Sequence, residues 1–255
     1  MENVLFGTVD SDFLLGSDQE TMVFGGDGDD RIIAGGGNDT VVGGNGQDIV
    51  DAGLGDDLVV GGNGSDILLA REGNDILFGG EGNDWLDGDI GDDSLEGGNG
   101  QDLLIGGIGN DSLKGDSGED FLIAGDGDDV VEGGSEKDVI QGNAGNDTLF
   151  GGEGNDFIQG DAGDDVLTGG LGADAFTFQS PNVGVDVITD FNADEGDFIR
   201  IGLNFGATSI DQFSYDAASG LLSFDASATD GIEAKVLAVL ENPVGFSLDA
   251  VRIPG

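Results

Sequence analysis

The sequence predicts an all-β chain: a right-handed parallel β-roll, a two-sheet solenoid with 18 residues per coil, closed by a small β-rich C-terminal cap. Three observations predict it. A nine-residue repeat runs from Gly7 to Thr177 without insertion or deletion, 19 units in all. Each unit ends in three residues of high β propensity, such as Arg31, Ile32 and Ile33, or Leu58, Val59 and Val60. Each unit begins with a glycine-rich stretch that permits φ > 0 and close backbone approach.

In chain order, residues 1–6 form a short N-terminal leader. Residues 7–177 are the repeats, of which the first two, beginning GTVDSD and GSDQET, are frayed. Position 6 of the unit is Asp in 18 of 19 cases, with Thr21 the exception, and position 4 is Gly in 16. Position 8 is Leu, Ile or Val in 18 units and Phe176 in the last. Positions 7 to 9 read as a three-residue strand with position 8 inward and positions 7 and 9 outward, leaving six residues for the turn. If strands alternate between two sheets, loops 18 residues apart stack about 4.8 Å from each other, and the roll is roughly 45 Å long. Ala replaces Gly at position 1 only at Ala34, Ala52, Ala70 and Ala124, all in even-numbered units, so the two sides of the coil are not equivalent.

Residues 178–255 form the cap. An inserted Phe-Gln-Ser is followed by PNVGVDVIT, a decayed unit with Gly184, Asp186 and Ile188 at positions 4, 6 and 8. QFSYDA and LLSFDA read as strands around Ser219-Gly220, followed by strands in AKVLAVL and FSLDAVRI. Such a segment covers backbone that an open solenoid end would leave unpaired.

The composition narrows the chemistry. There are 52 Gly, no Cys, no His, and 53 acidic residues against 7 basic, a net charge of -46. Nucleic acid and anionic membranes are excluded as direct partners, since both need a basic surface. No apolar run reaches the roughly 20 residues of a transmembrane helix, and the opening MENVLFGTVDSDF lacks the pattern of a cleavable signal. All side-chain donors of metal-binding strength are oxygens, so zinc, copper and iron–sulfur centres lack their usual ligands. Ca²⁺ accepts six to eight oxygens in flexible geometry, whereas Mg²⁺ demands a tight octahedron. The candidate ligands are the position-6 aspartates Asp12, Asp30, Asp39, Asp48, Asp57, Asp66, Asp75, Asp84, Asp93, Asp102, Asp111, Asp120, Asp129, Asp138, Asp147, Asp156, Asp165 and Asp174, with Asp186 from the decayed unit. Asp10, Asp18, Asp29, Asp56 and Asp128 sit at other positions and read as solvated surface.

Nineteen loops in two stacks leave 17 gaps, so up to about 17 Ca²⁺ would fit; residues 7–177 carry 40 acidic and 4 basic residues, a charge that such loading nearly cancels. Burying one side chain per unit contributes roughly 1.5–3 kcal/mol, while ordering each backbone residue costs about 1–2 kcal/mol. The metal-free repeat region is therefore expected to be largely unfolded, with metal binding as its folding energy.

The pattern GGxGxDxUx over residues 7–177 resembles the RTX, hemolysin-type calcium-binding repeats. VDVITDFNADEGDFIRI resembles the DxIxDFxxxxDxIxI segment that follows the repeats in that family. The resemblance implies an extracellular or cell-surface protein exported unfolded by type I secretion machinery, directed by an uncleaved C-terminal signal. Repeats of that family often ride behind an enzyme, but the motifs of such an enzyme are missing and none is expected in this chain. HExxH is impossible without His, GxSxG is absent, and Gly115-Asp116-Ser117-Gly118 is positions 1 to 4 of a repeat with no His to activate the serine. Two alternatives stand beside calcium binding alone. One is an enzyme with its site in the C-terminal region. The other is adhesion or self-association through an apolar sheet face, since outward positions hold Phe24, Val60, Phe78, Trp85, Ile105 and Phe121. An ice-binding surface would need regular threonine ladders, and Thr40, Thr148 and Thr168 are too sparse.

Overall fold

The strands of the repeats are longer than the three residues expected. In the computed structural model, which describes residues 3–180, 184–202, 205, 207, 209–225 and 234–253, a typical strand starts at position 7 and runs through position 3 of the next unit, as in Thr40–Asn45 and Ile49–Leu54. Only positions 4 to 6 are left as the turn. The extension depends on position 2, where the backbone takes a left-handed φ, +120° at Gly35 and +123° at Gly44, and the strand bends without losing its pairing. Arg71, Asp89, Asp116, Asn143 and Asp161 hold the same position with φ between +71° and +92°.

Successive strands alternate between a 14-stranded and a 12-stranded sheet. Pairing within the roll is parallel and offset by 18 residues, for example Leu58 against Ile76 and Trp85 against Leu103. The expected coil length is the observed one. Antiparallel pairing occurs in the tail, where Phe213–Asp216, Leu221–Phe224 and Lys235–Leu240 form a small meander. Both roll sheets run on past Thr177. Asp186–Ile188 lies between the strand at Val166 and Lys235–Leu240, and Phe198–Ile201 lies between Ala175–Phe178 and Val251–Arg252. In the closing FSLDAVRI only Val251 and Arg252 are strand, because Leu248–Ala250 forms a 3-10 turn. Pro181, Asn182 and Val183 of the decayed unit lie outside the described residues.

The interior is narrow. Position 8 is buried in every unit from Val23 to Phe176, and position 1 also faces inward, where Ala34, Ala52, Ala70 and Ala124 bury their methyl groups. Inward-facing positions are therefore 6, 8 and 1, the period of two that a strand imposes. Towards the tail the core widens into Phe176, Phe178, Phe191, Phe205, Phe213 and Phe224. Positions 7 and 9 face outward, and Ile49, Ile76, Trp85 and Phe121 are exposed there. Among the described residues no helix is long and apolar enough to cross a membrane.

Candidate metal centre

Alternation along the strand turns the position-6 aspartate inward at the mouth of each turn. From Asp30 to Asp174 these residues are 0–3% exposed, which places them among the most buried polar groups of the protein. One carboxylate oxygen has a fixed task. The N–H of each position-6 residue donates to Oδ1 of the aspartate 18 residues later, as from Asp30 to Asp48 at 2.9 Å and from Asp93 to Asp111 at 2.8 Å. The other oxygen has none. Seventeen Oδ2 atoms, one from each of Asp30 to Asp174 in the two rows, are buried without a hydrogen-bond partner. A buried charged oxygen with no partner is costly, and one recurring at every rung points to a group that completes it.

The second donor set is backbone. Most position-4 N–H groups of the inner units bond the position-3 carbonyl of the following coil, as Gly46 does to Asn63 at 2.8 Å. The position-4 carbonyls of the inner units accept no hydrogen bond among the described residues. They point at the next coil. A methyl group on Gly73 would overlap the Gly55 carbonyl oxygen and stand 3.1 Å from Asp75 Oδ1. On Gly154 it would overlap the Glu136 carbonyl oxygen and stand 2.8 Å from Asp156 Oδ1. The space that glycine leaves open at position 4 is thus bordered by a carbonyl from one coil and a carboxylate from the next. Among the described residues no three acidic side chains converge on one point, so carbonyls must supply the remaining donors. All-oxygen donors of mixed carboxylate and carbonyl type fit Ca²⁺.

The carboxyl groups behave as buried anions without a counter-ion. Burial pushes Asp57, Asp66, Asp93, Asp138, Asp147 and Asp174 up to about 7, and Asp75, Asp84, Asp102, Asp111, Asp120 and Asp156 up to about 6. The backbone N–H bond to each opposes that rise without cancelling it.

The ends of the rows differ from the middle. Asp12 is only half-buried, and its Oδ2 is taken by the Thr8 N–H at 2.6 Å and the Thr8 hydroxyl at 2.9 Å. Asp186 is buried and accepts the Asp165 N–H at 3.3 Å, and burial, followed by the nearby Asp165 charge, drives its carboxyl up to about 8. The odd row closes on Asp197, a residue the repeat pattern does not flag. It is 6% exposed and accepts the Asp174 N–H at 2.9 Å across 23 residues instead of 18. The run Asp197, Phe198, Ile199 has the look of positions 6 to 8, and that was its available signal. Asp190 takes the N–H groups of Gly169 and Gly170 at 2.9 and 2.8 Å.

A sequence model of the RTX calcium-binding nonapeptide repeat, four copies long, matches in overlapping blocks between residues 24 and 176. The chain belongs to the RTX calcium-binding repeat family. The repeats of this family member are calcium-binding repeats on a β-solenoid. Among solved structures it is similar to the AlgE6R3 subunit of the Azotobacter vinelandii mannuronan C5-epimerase, with 27% identity, a TM-score of 0.36, and coverage of 50% of this chain and 78% of that one. It is also similar to the extracellular lipase LipA from Serratia marcescens, with 20% identity and a TM-score of 0.35 over 80% of this chain. The RTX chain spans 44% of the lipase's length. No curated protein matches the chain.

A second ladder at position 5 went unread in the sequence. In even-numbered units this position alternates strictly: Asn38, Asp56, Asn74, Asp92, Asn110, Asp128, Asn146, Asp164. Each Oδ1 accepts the position-5 N–H of the next coil, from 3.2 Å at Asn38 to 2.7 Å at Asp128. The row ends at Val185, whose N–H donates to Asp164 at 2.9 Å. The odd row has no such regularity.

Proposed function

We propose that Ca²⁺ occupies the gaps between successive turns of each row, held by the position-6 aspartates from Asp30 to Asp174, by Asp186, and by the position-4 carbonyls. The single observation that supports this most is the set of seventeen buried, unpartnered Oδ2 atoms. Bound calcium supplies the positive charge those oxygens lack. The chain's own part is to hold Oδ1 on a backbone N–H, which fixes the carboxylate between coils and leaves Oδ2, beside the position-1 residue of its own unit, free for the cation. With up to about 17 ions bound, calcium becomes the folding energy of the roll. The test uses the whole chain. Circular dichroism should show little β structure in chelator and a full β spectrum in millimolar Ca²⁺, with a dozen or more Ca²⁺ per chain by elemental analysis after dialysis. An unchanged β spectrum, or a metal content near zero, removes the reading.

In this reading the protein acts outside the cell or at its surface, reached by type I secretion with the signal in its C-terminal region, and it carries no catalytic site. Folding that waits for calcium suits a chain that crosses a narrow channel before meeting millimolar Ca²⁺. Removing the last sixty residues should stop export through a type I apparatus while the full chain passes. Export of the shortened chain would break that part of the proposal.

A further inference from the structure

The peptide group that joins positions 4 and 5 contains both the carbonyl that borders each gap and the position-5 N–H. Because a peptide unit is planar and trans, fixing the direction of that N–H fixes the direction of the carbonyl. In the even row every such N–H from Asp56 to Val185 is held by the Asn or Asp side chain one coil earlier, at 2.7–3.2 Å over eight consecutive gaps. In the odd row the bond is broken repeatedly. Ser11, Asp29, Ser65, Asn83 and Asn155 hold their neighbours at 2.9–3.2 Å, but among the described residues Gln47, Gln101, Glu119 and Lys137 do not hold the next position-5 N–H, three of them in succession.

Two further features separate the rows. The odd row contains Glu136, with φ +73° at a position that is glycine in the neighbouring coils. Its Oε2 draws the Gly118 N–H at 3.1 Å, and the Gly118 bond to the Ser135 carbonyl stretches to 3.4 Å, against 2.7–2.9 Å at the other inner units. Charge differs as well. Asp56, Asp92, Asp128 and Asp164 add negative potential at Asp57, Asp93, Asp129 and Asp165, while in the odd row the position-5 charge is mixed, Asp29 adding negative potential at Asp48 and Lys137 acting on Asp156 with the opposite sign. Alternating Asn with Asp keeps the acceptor at every rung while separating the added carboxylates by two coils.

We propose that the position-5 side chains of the even units are positioning residues for calcium, which pre-aim the position-4 carbonyls and divide the gaps into a tight even row and a weaker odd row. This inference rests on calcium occupying the gaps. Its test is calcium titration of the full chain by calorimetry and radiolabelled-calcium dialysis, which should resolve two phases of about equal ion number. Changing Asn74, Asn110 and Asn146 together to Ala should raise the midpoint of the tight phase about three- to tenfold, with the weak phase and the total ion number unchanged. The single N110A change should move the same phase by a smaller factor. Serine at the same three positions should restore the wild-type midpoint, because Ser11 and Ser65 already accept the equivalent N–H at 3.2 and 3.0 Å. Gln47→Ala with Gln101→Ala in the odd row should change neither phase by more than about twofold. A single uniform phase in the wild-type chain overturns the division. A tight phase unmoved in N110A and in the triple Ala chain, or a glutamine pair that shifts it as far as the asparagines do, overturns the positioning role. Absence of bound calcium overturns the parent reading instead.

Discussion

From Met22 to Thr177 the interior is a single file of aliphatic side chains between two rows of aspartates, whereas beyond it the interior is a cluster of phenylalanines. The roll buries one branched side chain per unit and one carboxylate oxygen with no partner. The tail packs Phe205 and Phe213 each 5.1 Å from Phe224, and Phe246 5.1 Å from Phe191 and 4.5 Å from Tyr215. An aromatic core supplies its own burial, while the file of Leu, Ile and Val does not offset the charge placed beside it. The two regions share sheets, yet under the proposed function they answer to different conditions: the roll to its cation, the tail to its packing.

Acidity should separate them most. Without metal, burial pushes Asp57 and Asp138 up to about 7 and Asp75 and Asp111 up to about 6 in the folded chain, from an ordinary value of 3.8. Between those values the folded state holds more protons than the unfolded state, so the stability they contribute is present below about pH 4 and is lost as pH rises through 6 to 7. In chelator, the β signal of the roll should grow as pH falls from 8 to 4.5, whereas calcium affinity should fall as protons compete for the same oxygens. A chelated chain that loses β structure on acidification contradicts this account.

Next in size is the aromatic core. Phe224→Ala should cost the tail about 3–5 kcal/mol, read as early loss of the Tyr215 near-ultraviolet signal on heating. The calcium midpoint of the roll, followed through Trp85, should stay where it was. Trp85 and Tyr215 are the sole residues of their kinds, one in each region, so the two readouts do not mix. A matching shift at both would erase the distinction.

A smaller effect distinguishes the two oxygens of one carboxylate. Asp111→Asn keeps the acceptor for the Asp93 N–H but removes the charge at the gap. It should weaken the calcium-loaded roll by about 1–3 kcal/mol and slightly stabilise the chelated one. Denaturant melts under both conditions should move in opposite directions, and movement in the same direction would show that the charge is not what matters.

Much of this was legible in the sequence because the repeat is in phase. Aspartate at position 6 in eighteen of nineteen units marked the carboxylates of the turns, and alanine confined to Ala34, Ala52, Ala70 and Ala124 supported the coil of 18. What escaped depended on contacts between coils. Strand length was underestimated because positions 1 to 3 are glycine-rich, and only pairing with the neighbouring coil keeps them extended. The Asn and Asp ladder was hidden because its period, two coils, exceeds the repeat. Asp197 was missed because added residues shift it out of phase, although the sheet places it beneath Asp174. Asp12 obeyed the pattern, but the hydroxyl of Thr8, where later units carry mostly glycine, engages its free oxygen.

The Oδ1 bonds of the position-6 aspartates all run one way along the chain. Each position-6 N–H is satisfied by an aspartate from its C-terminal neighbour, opposite in sense to the position-5 ladder. The solenoid therefore has a polarity that makes its two ends unequal. At the beginning, Asp12 and Thr21 hand their N–H groups forward to Asp30 and Asp39, and that end is self-sufficient in this respect. At the other end the last rungs would be left with naked donors, and Asp186 and Asp197 arrive from the tail to meet them. A roll wired in this direction needs its lid downstream.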